Sequence, residues 1–132
     1  MMFNVLLVGS NPSNASPDIS DFHPSTRSRI ILDQWFNGMA VNNISYTNVA
    51  AVRTPENRPL RISEIRRNLP RLQNITKNYS KIIALGKTAS KALSMLDIEH
   101  FAAPHPSGLN RQLNNKDYVA EMIQQLTLYI ES

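Results

Sequence analysis

Phe3-Asn4-Val5-Leu6-Leu7-Val8-Gly9-Ser10-Asn11-Pro12-Ser13 decides how this chain is read. A short apolar run ends at a glycine, and a loop rich in Gly, Pro, Asn and Ser follows it, running on to Pro24. A run of this length bounded by turn residues reads as a buried strand. Beyond the loop, a helix is expected from Ser25 or Thr26, both candidate N-caps, to Phe36.

The same order of strand, loop and helix recurs along the chain. Ile44 to Ala51 is the second apolar run, followed by Val52-Arg53-Thr54-Pro55-Glu56-Asn57-Arg58-Pro59. After it Ile62, Ile65, Leu69, Leu72, Ile75 and Tyr79 fall at helical spacing. Pro70 sits inside that pattern, and a kink or a break into two shorter helices is expected there. Lys81 to Leu85 is the third run, and Gly86 opens a helix with Ala89, Ala92, Leu93 and Leu96 on one face. The fourth run spans roughly His100 to Ala103, and a C-terminal helix through Tyr118, Met122, Leu126 and Ile130 is capped by Asn114 or Asn115.

Strands alternating with helices imply a mainly parallel sheet, because a right-handed crossover helix returns the chain to start a parallel neighbour. The expected fold is therefore α/β, a three-layer α/β/α sandwich around a four-stranded, mainly parallel sheet. One domain over residues 1–132 is expected from the length. In such sheets ligands bind outside the carboxyl ends of the strands, which directs attention to the loops that follow them.

Composition narrows the chemistry. Absence of cysteine excludes disulfides, thiolate nucleophiles and cysteine-ligated zinc or iron–sulfur centres. The net charge of +4 and a pI near 9.7 favour a polyanionic partner without identifying it. No long apolar run or signal-peptide pattern is present, so a cytoplasmic, membrane-free setting is expected. Gly86-Lys87-Thr88 lacks the earlier glycine of a phosphate-binding P-loop and reads as a strand-to-helix turn.

Two loops carry the chemistry. In the first, Asn11 offers a neutral amide that can orient a water or bond a base edge, although Asn-Pro-Ser after a strand is by itself an ordinary turn. The last loop, Pro104-His105-Pro106-Ser107-Gly108-Leu109-Asn110-Arg111, is more informative. Its prolines hold His105 extended, where an imidazole can donate to an oxygen gaining negative charge. Ser107, Asn110 and Arg111 suit phosphates, and Leu109 has the chemistry of a wedge that fills the hole left by an extruded base. A rigid turn with Leu109 folded into the core is the plainer alternative. Of the arginines from 53 to 71, Arg53 and Arg58 lie in a loop on the active edge and suit phosphate, whereas those on the helix read as a solvated face. His23 reads as a structural hydrogen-bonder.

Taken together, these segments resemble the uracil-DNA glycosylase superfamily. Gly9-Ser10-Asn11-Pro12-Ser13 is similar to the first motif of its mismatch-specific uracil and thymine glycosylases, and His105-Pro106-Ser107-Gly108-Leu109-Asn110-Arg111 to the second motif. The stretch from Thr47 to Pro59, and those around Glu64 to Leu72 and Lys81 to Leu93, resemble the thermophile-type uracil glycosylases, whose central segment reads Thr-Asn-x-x-Lys-Cys-Arg-Pro-Pro-x-Asn-Arg. The likeness implies that Asn11 positions the attacking water and that His105 stabilises uracil O2. It further implies that Asn48 reads the pyrimidine edge, that Gly9 and Ser10 adjoin the base, and that Phe22 stacks on it. Ser13, Ser107, Gly108, Leu109, Asn110 and Arg111 would then meet the DNA. The iron–sulfur cluster of the thermophile-type group is not carried over, for want of its cysteines.

The implied activity is removal of a deaminated or damaged pyrimidine, uracil foremost, from DNA by a monomer that uses neither metal nor cofactor. Alternatives are a non-catalytic protein binding nucleic acid or a nucleotide on the same fold, and an enzyme acting on a modified pyrimidine.

Overall fold

The computed structural model describes residues 3–11, 24–39, 41–55, 58–106 and 110–132, with nothing stated for the side chains of Phe3 and Asn42. In chain order the elements are β1 (Phe3–Gly9), α1 (Arg27–Phe36), β2 (Val41–Asn48), α2 (Ile62–Thr76), β3 (Lys81–Leu85), α3 (Lys87–Met95), β4 (Phe101–Ala103) and α4 (Lys116–Glu131). A short 3-10 turn, Arg111–Asn114, precedes α4.

The strands form one four-stranded sheet in the order β2-β1-β3-β4, and every pairing is parallel. Strands buried on both faces need apolar residues at every position, not alternate ones, which is what β1 and β3 supply. Leu6, Val8, Ile82 and Ala84 face the side covered by α2 and α3, where they pack with Ile65, Leu72, Ala89 and Leu93. Val5, Leu7, Ile83 and Leu85 face the other side, where Leu32, Trp35 and Phe36 of α1 meet Met122, Leu126 and Ile130 of α4. The fold is thus the three-layer α/β/α sandwich expected from the sequence.

Local signals account for the starts of α1 and α4. Thr26 caps α1 by accepting from the Arg29 N–H, and Asn115 caps α4 by accepting from the N–H groups of Asp117 and Tyr118. Two details differ from the sequence reading. β2 starts at Val41 and ends at Asn48, not at Ile44 and Ala51, because its extent follows β1: Phe3 pairs with Val41 and Gly9 with Asn48. α2 runs unbroken through Pro70, which lies on its exposed side, so the carbonyl of Arg66 that loses its partner can be hydrated instead. Among the described residues no helix is long and apolar enough to cross a membrane.

Candidate functional site

The sheet order fixes where a ligand crevice lies. From β1 the chain moves outward to β2, then returns across β1 to begin β3 on its other side. The connections leaving β1 and β3 therefore part in opposite directions, and the crevice between their carboxyl ends is the switch point at which open α/β sheets bind ligands. Gly9-Ser10-Asn11 leaves β1 at that point and Gly86 ends β3 beside it.

The first loop is laced to the end of β2. Beyond the strand pairing, the N–H of Val49 donates to the carbonyl of Gly9 at 2.8 Å and that of Ala50 to Ser10 at 3.0 Å. Asn11 Nδ2 then donates to the Val52 carbonyl at 3.1 Å and to Thr54 Oγ1 at 3.4 Å. A carbonyl can only accept, so the amide must turn its NH2 toward Val52 and Thr54 and its oxygen away from them. That oxygen accepts from Ser10 Oγ at 3.0 Å and keeps a second lone pair for a water proton.

Thr54 is held in its turn. It is 3% exposed, and its hydroxyl donates to the carbonyl of Arg58 at 2.5 Å. The Arg58 guanidinium grips Glu64 at 2.9 and 3.3 Å. Glu64 also accepts from the Arg61 N–H at 2.7 Å, at the start of α2. The hydrogen bond from Arg58, with the Arg61 N–H, holds the Glu64 carboxyl down to about 2, so the pair stays charged at any pH of interest. The brace runs from α2 through Arg58 and Thr54 to the amide of Asn11.

Arg71 is not merely part of a solvated face, as its place on the helix suggested. Its Nη2 reaches back to the carbonyls of Asn48 at 2.6 Å and Val49 at 2.8 Å, fixing the carboxyl end of β2. Asn48 itself is 3% exposed.

His105 comes from the loop after β4 but leans over β3. A Cβ built on Gly86 would stand 3.3 Å from the Cβ of His105 and 3.4 Å from its Cδ2. Gly86 has φ +95 and donates its N–H to the Ala103 carbonyl at 2.9 Å. Only glycine suits both the backbone and the close approach. The imidazole keeps solvent access while packed on one side, and partial desolvation lowers its pKa from 6.5, leaving it neutral at neutral pH. Asn110 secures the loop: its Nδ2 donates to the His105 carbonyl at 3.1 Å and its Oδ1 accepts from the Gln112 N–H at 3.2 Å.

The braced amide thus follows the carboxyl end of β1, and the neutral imidazole packs on Gly86 at the carboxyl end of the adjacent parallel strand β3. The family model of the uracil DNA glycosylase superfamily matches residues 3–127, nearly the whole chain. The chain belongs to that superfamily. No curated protein matches it.

For a uracil-DNA glycosylase superfamily member, the sequence-derived site divides into three groups. Gly9, Ser10, Asn11, Asn48 and His105 lie at the carboxyl ends of the strands or in the loops that leave them. Arg53 and Arg111 are exposed on loops of that end, while the charge of Arg58 is committed to Glu64 and the amide of Asn110 to its own loop. Ser13, Phe22, Ser107, Gly108 and Leu109 lie outside the described residues. Sequence reasoning gave Thr54 no role, and read Gly86 only as a turn and Arg71 only as part of a solvated face. A signal existed for Gly86, since a helix that begins on glycine without a Ser, Thr, Asp or Asn cap points to a backbone demand.

Proposed function

We propose that this protein is a monofunctional DNA glycosylase, which turns an altered pyrimidine, uracil foremost, out of DNA and hydrolyses its N-glycosidic bond. The reading is supported by the Asn11 amide, whose NH2 is bound to Val52 and Thr54 so that its oxygen is left to hold a water, at the end of the strand next to the one on which the His105 imidazole packs. In the reaction the bond between C1′ and the pyrimidine nitrogen breaks, and its electron pair leaves with the base. His105 donates an N–H to the pyrimidine oxygen where that charge gathers, and the oxygen of the water held by Asn11 bonds to C1′. The water's proton passes to solvent or to the released base, leaving an abasic sugar. Phe22 would stack on the extruded ring and Leu109 would fill the gap in the duplex. The protein acts as a monomer in a cytoplasmic setting on this reading.

Incubating the protein with uracil-containing single- and double-stranded oligonucleotides, followed by alkali, tests the proposal. Strand scission at the uracil is expected. Absence of scission on every deaminated or mismatched substrate overturns it.

Two finer predictions follow from the geometry. Thr54→Val removes the acceptor for Asn11 Nδ2 and the donor to the Arg58 carbonyl. One hydrogen bond's worth of orientation, about 1 kcal/mol, should cost roughly fivefold in kcat with KM little changed, and Thr54→Ser should restore it. An equal loss in the serine variant would remove Thr54 from the brace. The second concerns pH: because the His105 pKa lies below 6.5, the working form is neutral imidazole, which still carries an N–H. Single-turnover rates should stay flat as pH rises above 6.5, whereas a required imidazolium would cost about tenfold per pH unit there.

A further inference from the structure

Beyond His105 the surface does not close. A cleft of about 640 Å³ runs along the outer edge of β4, with α3 as one wall and α4 as the other, and His105 is part of its lining. Lys87, Lys91 and Ser94 of α3 line it, spaced so that one helix face presents all three to the cleft. Among the described residues neither lysine has a carboxylate partner. Ser90 lies between them, tied to His100 Nε2 at 2.8 Å, and this pins the lysine-bearing wall to the start of β4. Across the cleft, on α4, stands Tyr118. Glu121 lies in the adjoining groove past Tyr118, where its charge repels a polyanion and marks the far end of the path.

A row of unpaired cations facing an aromatic ring is the arrangement that binds single-stranded nucleic acid, phosphates on one wall and a base stacked on the other. We infer that the cleft between α3 and α4 binds the single strand flanking the site, with its phosphates on Lys87 and Lys91 and a neighbouring base on Tyr118. An acidic peptide would also meet the lysines, but it would leave the ring without a stacking partner. The volume suits a short stretch of strand, since pockets of roughly 300–1,000 Å³ hold drug-sized ligands. This inference rests on the proposed function only for the point at which the strand enters.

The test is the binding of an undamaged, fluorescently labelled oligothymidylate, followed by anisotropy across a salt series. Each phosphate contact on a single strand adds about 0.7 to the log–log salt slope, which is about fivefold in affinity at roughly 0.1 M salt. Lys87→Gln/Lys91→Gln should therefore bind about twenty-five-fold more weakly, with a slope lower by about 1.4. Tyr118→Leu should lose roughly fivefold or more, while Tyr118→Phe keeps the ring and the affinity. All three side chains keep solvent access, and circular dichroism checks that the variants fold. Unchanged affinity in the double lysine variant overturns the inference, as does wild-type protein that ignores the single strand. Lysine-dependent binding of polyglutamate in place of the oligonucleotide also overturns it, in favour of a protein partner. Because the probe holds no lesion and nothing turns over, failed base release would remove the proposed function and leave this result standing.

Discussion

His105→Ala should lower kcat on a uracil-containing oligonucleotide by about 10²–10³ while leaving KM nearly unchanged, the cost of removing one preorganised donor from a developing oxyanion. The direction follows from where the charge is. Bound uracil is neutral and its O2 is an ordinary carbonyl, so the imidazole contributes little to binding. As the bond to C1′ breaks, the ring takes up the electron pair, and the N–H–oxygen bond strengthens in the transition state alone. Partial desolvation helps, since a dipole acts over a lower effective dielectric there than in water. The loss should not come from unfolding: the ring packs on Gly86 at the surface and belongs to neither core cluster. Equal thermal midpoints with a kcat reduced less than about tenfold would mean that the imidazole is a bystander, because even a weak charge-stabilising bond is worth about 1.5 kcal/mol.

Why His105 was legible in the sequence, and the residue beneath it was not, has a physical cause. An apolar run ending in glycine or proline announces a strand end by its own composition, so Gly9, Asn11 and His105 could be placed at a sheet rim without coordinates. Both cores were legible for the same reason, since the continuous apolar runs at Val5 to Val8 and Ile82 to Leu85 leave no solvent face. The start of β2 was not, because Val41-Asn42-Asn43 has a polar composition and becomes strand only by pairing with Phe3 and Asn4. Contacts between elements were hidden further still. That Thr54 orients Asn11, that Arg71 holds the Asn48 and Val49 carbonyls, and that Gly86 makes room for His105 all depend on the strand order β2-β1-β3-β4. Local propensity does not encode that order. Pro70 shows the reverse failure: its intrinsic cost to a helix was real, but exposure let water meet it.

Gly86→Ala should damage the protein twice over, and the two effects can be separated. The backbone at Gly86 has φ 95 and ψ 172, a region in which an L side chain is strained by roughly 1–3 kcal/mol. Against a typical stability of about 5–15 kcal/mol, that lowers the melting temperature and still leaves the molecule folded. The second effect is local. The new methyl would stand 3.3 Å from the Cβ of His105, and a Cβ cannot swing away as a side-chain tip can, so the whole residue must shift. Positioning is steep in rate: displacement near 1 Å costs about 10². A shift of a few tenths should therefore cost roughly three- to tenfold in kcat. A double-mutant cycle assigns the cause. If the rate loss acts through the imidazole, Gly86→Ala should lower kcat in the wild-type background but not in His105→Ala, while the melting temperature falls in both. Equal rate losses in the two backgrounds would show that Gly86 serves the β3–α3 turn alone, and His105 would then owe its place to the Asn110 bridge.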